Sequence, residues 1–521
     1  MGEPIKNPLT AAPIGCMMEN RYLLSDDSGK IQHKNRACQL RLGVSDLFIF
    51  DVLERKTTRI LSFASVIGSR SFSIDADRST LEIYDYKFDD SGYFRYFKNT
   101  KLRKCETISF QFTDSSTCQH WSNAINHTLY YQPQQNNNIE GGSSSEEGSS
   151  LLSDTYLSAP AAKRFTVFVN PVSGRGQAVA TWKNLVEPMM IQAGIQVKLI
   201  TTQHANHARD IMEDFDASTC DCVMTIGGDG VLFEIINGLS SRSKGDGEAL
   251  LSSVPVAPVP GGTGNGLIKS ILFECGQELS VINAVFMALK GTTEVIDLSL
   301  VQTRSHTYRS FLLLGWGLIS DIDLLSESMR YLGELRLYLA AVYFVIKKRF
   351  YRGRLSMFTG DSNGLNLGVQ CPISLPSFDK VIPAGNGWEV IDASFLFVWV
   401  VQTSHVTATM YSGPGVTSDD GMFTVYVVTD MSRCEILQLL LAMDTGGHVK
   451  HPKVKTFKCT AYRIEPFTDA GRNSNSNSNS NGNSNGNSNG GLYTLDGELV
   501  EYGPIQGIMR PGSGRIRKFK H

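Results

Sequence analysis

The chain predicts a central α/β lobe, with a mostly parallel sheet and helices on both faces, followed by an antiparallel β-sandwich lobe and preceded by a β-rich module. Three observations carry that reading. Between Arg164 and Val259 strand-like and helix-like runs alternate, as in a sheet wound through crossover helices. After about Asp297 strand patterns dominate. Two low-complexity tracts, Gln132 to Ser150 and Asn473 to Gly490, punctuate the chain, and the second holds no residue able to pack a core.

In the N-terminal module, over residues 15–132, short β-prone runs include Leu47 to Phe50, Ile60 to Phe63 and Leu81 to Tyr84. A helical segment, Ser116 to Tyr131, carries Trp121, Ala124, Ile125 and Leu129 at helix-face spacing. Strands closed by one Trp-bearing helix resemble a pleckstrin-homology-like module. Lys30, Lys34 and Arg36 offer contacts to lipid headgroups, but basic residues so dispersed read better as a solvated face. Residues 133–160 read as a flexible linker.

The α/β lobe spans residues 161–296. Its strands are predicted at Phe165 to Val169, Ile195 to Thr201, Asp221 to Ile226 and Val254 to Val259. A helix over Gln177 to Ala193 puts Val179, Trp182, Leu185, Val186 and Met189 on one face, and a second covers Val231 to Leu239. The sandwich, residues 297–521, is predicted from Phe311 to Leu314, Phe395 to Val401, Phe423 to Val428 and Phe457 to Ile464. The Asn/Ser/Gly tract at 473–490 reads as a surface loop inside it, because Leu492 to Leu495 resumes a strand pattern.

Composition narrows the function classes. At 521 residues with 41% hydrophobic and 19% charged, the chain is long enough for two to four cored domains of ordinary soluble type. A formal net charge of −2 argues against a general nucleic-acid binder. The ten cysteines are scattered, and Cys220 and Cys222 lack zinc-site partners, so reduced thiols are expected. No apolar run approaches the ~20 residues of a membrane helix. Met1 to Pro8 shows no signal-peptide pattern. The expected location is cytoplasmic, with peripheral membrane contact.

The chemistry sits in glycine loops. Asn170-Pro-Val-Ser-Gly-Arg-Gly176 follows the first strand, Gly227-Gly-Asp-Gly230 the third, and Gly261-Gly-Thr-Gly-Asn-Gly266 the fourth. Glycine lets a backbone turn sharply and lets N–H groups approach an anion with no Cβ in the way. Ligands of such sheets lie beyond the carboxyl ends of the strands, where these loops fall. A Walker A loop, a G-x-G-x-x-G fingerprint and the protein-kinase motif set are all absent. Ile436, Leu439, Leu440 and Met443 recur at helical spacing further on, with His448 after them.

In this order and spacing the three loops resemble the diacylglycerol-kinase catalytic superfamily of lipid kinases. Trp316 to Arg336 and Tyr351-Arg-Gly-Arg-Leu355 look like sphingosine kinase, and Gly264-Asn-Gly-Leu-Ile-Lys-Ser270 is nearest to plant long-chain base kinases. The resemblance covers roughly Arg164 onward apart from the Asn-rich tract. It implies phosphoryl transfer from ATP, with Mg2+ as counterion, to the primary hydroxyl of a sphingoid base. No protein-only magnesium cage is evident. Alternatives are a ceramide or diacylglycerol kinase, or a catalytically silent lipid-binding membrane protein. A homodimer is a further expectation.

By the same resemblance Asp229 is the base that takes the hydroxyl proton. The matched nucleotide positions are Asn170, Pro171, Gly174, Thr202, Asn206, Gly227, Gly228, Gly230, Glu234, Gly262, Thr263 and Gly264, then Arg330, Arg336, Asp496, Gly497 and Glu498. Asp323 is the partner of the substrate amine, a contact that ceramide and diacylglycerol lack. Asp321 is its rival, and a helix-capping role its plainer reading. Ile436, Leu439, Met443 and His448 match the lipid-tail pocket, although such a stripe is also what ordinary core looks like. Two departures stand out: Gly227 replaces the serine of animal sphingosine kinases, and Ala205 replaces a basic residue that reaches the nucleotide.

Overall fold

A computed structural model describes residues 24–34, 36–43, 45–51, 56–75, 78–88, 102–130, 162–242, 245–262, 264–327, 329, 335–360, 374–467 and 491–520. The linker and the Asn-rich tract, with Thr263 and Arg330, lie outside those residues. The chain divides into two compact units, the N-terminal module and the two-lobed remainder.

The module is one seven-stranded sheet and one helix. Its strands are β1 (Leu24–His33), β2 (Arg36–Leu42), β3 (Asp46–Asp51), β4 (Lys56–Ser62), β5 (Val66–Asp75), β6 (Arg78–Phe88) and β7 (Arg103–Phe112), in the order β4-β3-β2-β1-β7-β6-β5. Leu40, Leu42, Leu47 and Ile49 alternate inward along β2 and β3, the period-two pattern of a half-buried sheet. Helix α1 (Ser115–Tyr130) covers that core with Cys118, Trp121, Ala124 and Ile125, all buried. Asp114 begins it, its carboxylate accepting from the Thr117 amide at 2.7 Å.

In the remainder, β8 (Arg164–Val169), β9 (Gln196–Thr201), β10 (Cys222–Gly227) and β11 (Val256–Pro260) form parallel pairs in the order β9-β8-β10-β11. All six residues of β10 are buried, as expected of a central parallel strand covered on both faces. The predicted helix over 177–193 is interrupted. It runs as α2 (Ala178–Thr181), a π turn (Trp182–Val186) and α3 (Glu187–Gln192). The wider turn rotates the helix face, so Leu185 is exposed instead of joining Trp182 and Val186 in the core. Beyond β9 and β10 lie α4 (His207–Glu213), α5 (Asp229–Ser240) and α6 (Gly247–Leu251); α7 (Gly266–Glu274) and α8 (Val281–Lys290) follow β11.

The later strands are β12 (Thr292–Gln302), β13 (Thr307–Ser310), β14 (Leu313–Gly317), β15 (Tyr351–Phe358), β16 (Trp388–Phe395), β17 (Phe397–Val401), β18 (Phe423–Val428), β19 (Lys455–Cys459), β20 (Ala461–Pro466), β21 (Tyr493–Leu495), β22 (Glu498–Val500) and β23 (Ile505–Lys518). Two predicted strands are each split between sheets. Phe395 to Val401 turns at Leu396 from β16 into β17, and Phe457 to Ile464 turns at Thr460 from β19 into β20. The six-stranded sheet β19-β18-β17-β14-β21-β22 packs on β15, β16 and β20 through rings, Trp316 to Phe395 at 5.5 Å and Phe423 to Tyr462 at 5.1 Å. That is sandwich packing.

The boundary expected at 296/297 falls inside β12. The two lobes share strands, because β23 pairs antiparallel with β12 and β20 and, through Val256↔Ile516, parallel with β11. One ten-stranded sheet therefore runs through both lobes. Three helices complete the lobe: α9 (Leu318–Glu327), α10 (Leu335–Lys347) and α11 (Arg433–Ala442), the last opened by a capping box between Ser432 and Glu435. No helix among the described residues is long and apolar enough to cross a membrane. The eight described cysteines form no disulfide.

Candidate active site

The three glycine loops meet at the carboxyl ends of β8, β10 and β11. The Asn170 amide donates to Ile226 O and the Gly261 amide to Gly227 O at 2.9 Å, which aligns the loops side by side. A Cβ on Gly262 would stand 2.5 Å from Gly228 Cα, and one on Gly174 would collide with Gly261 O. Gly174 also has φ +56°, a conformation a side chain resists. Gly227 lies against Asn170 and Ser173. The backbone is thus in direct contact with itself, and only glycine fits between. The Asn170 side chain accepts from the Val172 amide at 3.1 Å and shapes the turn through Pro171.

Asp229 is buried in this nest. It is the first residue of α5, two positions ahead of the predicted helix start, with extended Gly228 as the N-cap. Its carboxylate turns to the start of α7. Oδ2 accepts from the Gly266 amide at 2.7 Å and Oδ1 from the Leu267 amide at 3.3 Å. Burial pushes its pKa up, and the backbone N–H groups oppose that. The acid is therefore both drier and better aimed than one in a solvent-exposed turn. A Cβ on Gly264 would sit 2.9 Å from Oδ2, so this position too stays bare.

Asn265, not singled out among the sequence candidates, locks the third loop. In left-handed conformation, φ +59°, its Nδ2 donates to Gly262 O at 2.6 Å and its Oδ1 accepts from the Gly262 amide at 3.2 Å. The signal for it was present: a lone Asn among glycines is the residue that tolerates this conformation and bonds nearby backbone.

Two predicted nucleotide ligands have other duties. The Glu234 carboxylate accepts from the Asn206 amide at 3.0 Å and the Ala208 amide at 3.1 Å, so both oxygens cap α4. It holds the 202–206 turn, in which Thr202 is buried and Asn206 is exposed at φ +65°. Asp496 is a larger correction. It is 2% exposed, and its carboxylate accepts from Ser310 Oγ, Phe311 N, Leu312 N and Leu313 N at 2.8–3.0 Å. Burial raises its pKa to about 7. Asp496 and Gly497 make the two-residue turn between β21 and β22, with φ +52° and +89°. The turn delivers exposed Glu498 to the cleft, where a Cβ on Gly230 would stand 2.8 Å from Oε1.

Asp321 and Asp323 both lie on α9, so they occupy different faces. Asp321 is buried and takes a hydrogen bond from the Tyr351 hydroxyl; burial raises its pKa. Asp323 is half-buried in mid-helix, which removes the capping reading. Arg336 is in the first turn of α10.

On α11, Ile436 and Leu439 face inward with Met443 just beyond, each at most 1% exposed. His448 is 2% exposed, with Nε2 donating to Ser412 O at 3.1 Å and its ring between Trp399 and Tyr426. His448 Nδ1 and Trp399 Nε1 are buried without a hydrogen-bond partner. Among the described residues no three His, Cys, Asp or Glu side chains cluster as a metal site.

Comparison with known proteins agrees with this geometry. Residues 164–301 match the diacylglycerol kinase catalytic domain family, and residues 386–490 match the YegS C-terminal NAD kinase beta sandwich-like domain. Sphingosine kinase 1 of Arabidopsis thaliana is 29% identical over 316 residues, covering 58% of this chain and 64% of its own. Human sphingosine kinase 1 is 28% identical over 68% of this chain and 90% of its own. Sphingoid long chain base kinase 4 of Schizosaccharomyces pombe is 27% identical over 62% of this chain and 72% of its own. The chain carries a diacylglycerol kinase catalytic domain and, over much of its length, is similar to sphingosine kinases and sphingoid long chain base kinases.

Proposed function

We propose that this chain is an ATP-dependent lipid kinase that phosphorylates the primary hydroxyl of a sphingoid long-chain base. The observation that carries the reading is the buried Asp229 carboxylate, held by the α7 amides among three mutually touching glycine loops. Bare backbone at Gly174 and Gly228 fits a polyphosphate, since no Cβ stands in the way there. Arg330 and Arg336, matched by the family resemblance alone, are the permanent cations assigned to the same phosphates. Exposed Glu498 beside Gly230 offers a carboxylate for the magnesium that accompanies ATP.

When bound, ATP supplies the γ-phosphoryl group. The lipid hydroxyl oxygen forms the new O–P bond as the bond from the γ-phosphorus to the bridging oxygen breaks and ADP leaves. Asp229 receives the hydroxyl proton. General-base help of this kind is worth about 10²–10⁴-fold. Asp323 pairs with the substrate ammonium, while Asp321 is engaged with Tyr351. The tail lies along Ile436, Leu439, Met443 and His448, the apolar face of α11 and the turns that follow it.

A seven-stranded sheet closed by α1 supports a pleckstrin-homology-like reading of residues 15–132. Membrane contact is peripheral. Labelled ATP offered with sphinganine, phytosphingosine, ceramide and diacylglycerol tests the whole reading. Product from the two free bases only is expected. Product from ceramide or diacylglycerol instead would reassign the substrate, and none from any lipid would leave a silent lipid binder. Asp323→Ala should lose the free bases selectively; unchanged selectivity refutes the amine contact.

A further inference from the structure

Residues 403–412, between β17 and β18, touch Gly446 and His448 beyond α11 at one end and α7, whose amides hold Asp229, at the other. On the tail side, Ser412 O accepts from His448 Nε2, and a Cβ on Gly446 would stand 2.9 Å from the Tyr411 ring. In the middle, the His405 ring lies 4.8 Å from Tyr411 and 4.9 Å from Phe273 of α7. On the catalytic side one hydroxyl ties the segment to α7 by hydrogen bonds. Ser270 Oγ accepts from the His405 amide at 2.9 Å and lies 3.1 Å from His405 O and 2.9 Å from Gly266 O. Ser270 is fully buried. Its partner Gly266 is the residue whose amide grips Asp229 Oδ2.

The joint is also sterically tight. A Cβ on Gly266 would meet Val406 C and O at 2.7 Å, and Asn265 bridges Thr407. Movement of this segment therefore moves the first turn of α7, and with it the two amides that aim the base. Contiguous packed and hydrogen-bonded groups of this kind carry energetic coupling between sites. Binding energy from a remote part of a substrate raises turnover only where it reaches the reacting centre.

We propose that Ser270 is a positioning residue that couples occupancy of the tail site beside α11 to the aim of the Asp229 carboxylate, through residues 403–412. The proposal rests on the lipid-kinase reading above. It makes turnover depend on tail length, because a long tail settles His448 and Ser412 and so fixes the α7 amides. A short-chain base occupies the acceptor site without that effect.

The test is kcat for a long-chain and a short-chain sphingoid base, in wild type and Ser270→Ala. Wild type should turn over the long-chain base faster, and Ser270→Ala should shrink that ratio about tenfold, the size expected for a residue within a coupling network. Short-chain turnover should fall less than long-chain turnover, and the KM for ATP should stay within about twofold of wild type, since nucleotide binding does not read the coupling. Tyr411→Ala breaks the same connection from the middle, stands in if Ser270→Ala does not fold, and should not add to it in the double variant. An unchanged ratio, even with a lowered melting temperature, makes Ser270 a packing residue and overturns the proposal. A wild-type ratio near one overturns it as well. No product from any lipid overturns the kinase reading first, and the coupling with it.

Discussion

Asp229 has two functions on one side chain. As the acceptor for two α7 amides it fixes the third glycine loop relative to the second, and as the proposed base it takes a proton from the acceptor alcohol. Asp229→Asn separates them, because an amide oxygen keeps one acceptor and abolishes the basicity. We expect kcat to fall by about 10²–10⁴ with ATP affinity changed little, by single-turnover kinetics beside nucleotide titration. Equal losses in affinity and turnover would make the side chain architectural. The glycines of this site are legible in sequence because each has a local reason to be glycine. The carboxylates are less so. Asp496 reads as a ligand next to Gly497 and Glu498, but its four donors lie more than 180 positions earlier, where no local pattern points to them.

At the scale of elements, the β21–β22 hairpin is a carrier for Glu498, anchored by the buried Asp496. A carboxyl with its folded pKa raised to about 7, against an ordinary value near ~3.9, binds its proton more tightly in the folded state. Its contribution to stability is full below the ordinary value and declines as pH rises through 7. Asp496→Asn removes that titration, so its melting temperature between pH 5 and pH 8 should fall less steeply than that of wild type. Parallel slopes in a thermal-shift series would refute the assignment. Helix α11 shows the limit of periodicity. Ile436 and Leu439 face inward as their spacing predicts, and Leu437 and Leu441, off that stripe, are exposed, yet Leu440, on it, is only half-buried. The helix over 177–193 shows another limit, since one π turn turned Leu185 outward without changing the sequence period.

For the whole molecule, two lobes were expected and one continuous sheet was found. Strand alternation up to β11 follows from local pattern. The partners of β23 do not, because Val256 and Ile516 are 260 positions apart and neither carries a mark of the pairing. Ile516 is fully buried at that join. Ile516→Ala should cost about 2–5 kcal/mol, the range for deleting buried methyl groups. A shared sheet requires that loss to appear in both lobes, Trp182 reporting one and Trp316 with Trp399 the other. Coincident urea midpoints, both shifted, are expected; a shift confined to one lobe would show that they unfold apart.

The position of that last strand also matters while the protein is being made. As the chain emerges from the ribosome, β11 has an unpaired edge until residues 505–518 arrive to close it. Until then the nascent polypeptide displays a sticky flank that other partly made chains could join. Closing that flank falls to residues 505–518, so a chain cut short of them would keep an open strand edge, a ready template for pairing with another chain.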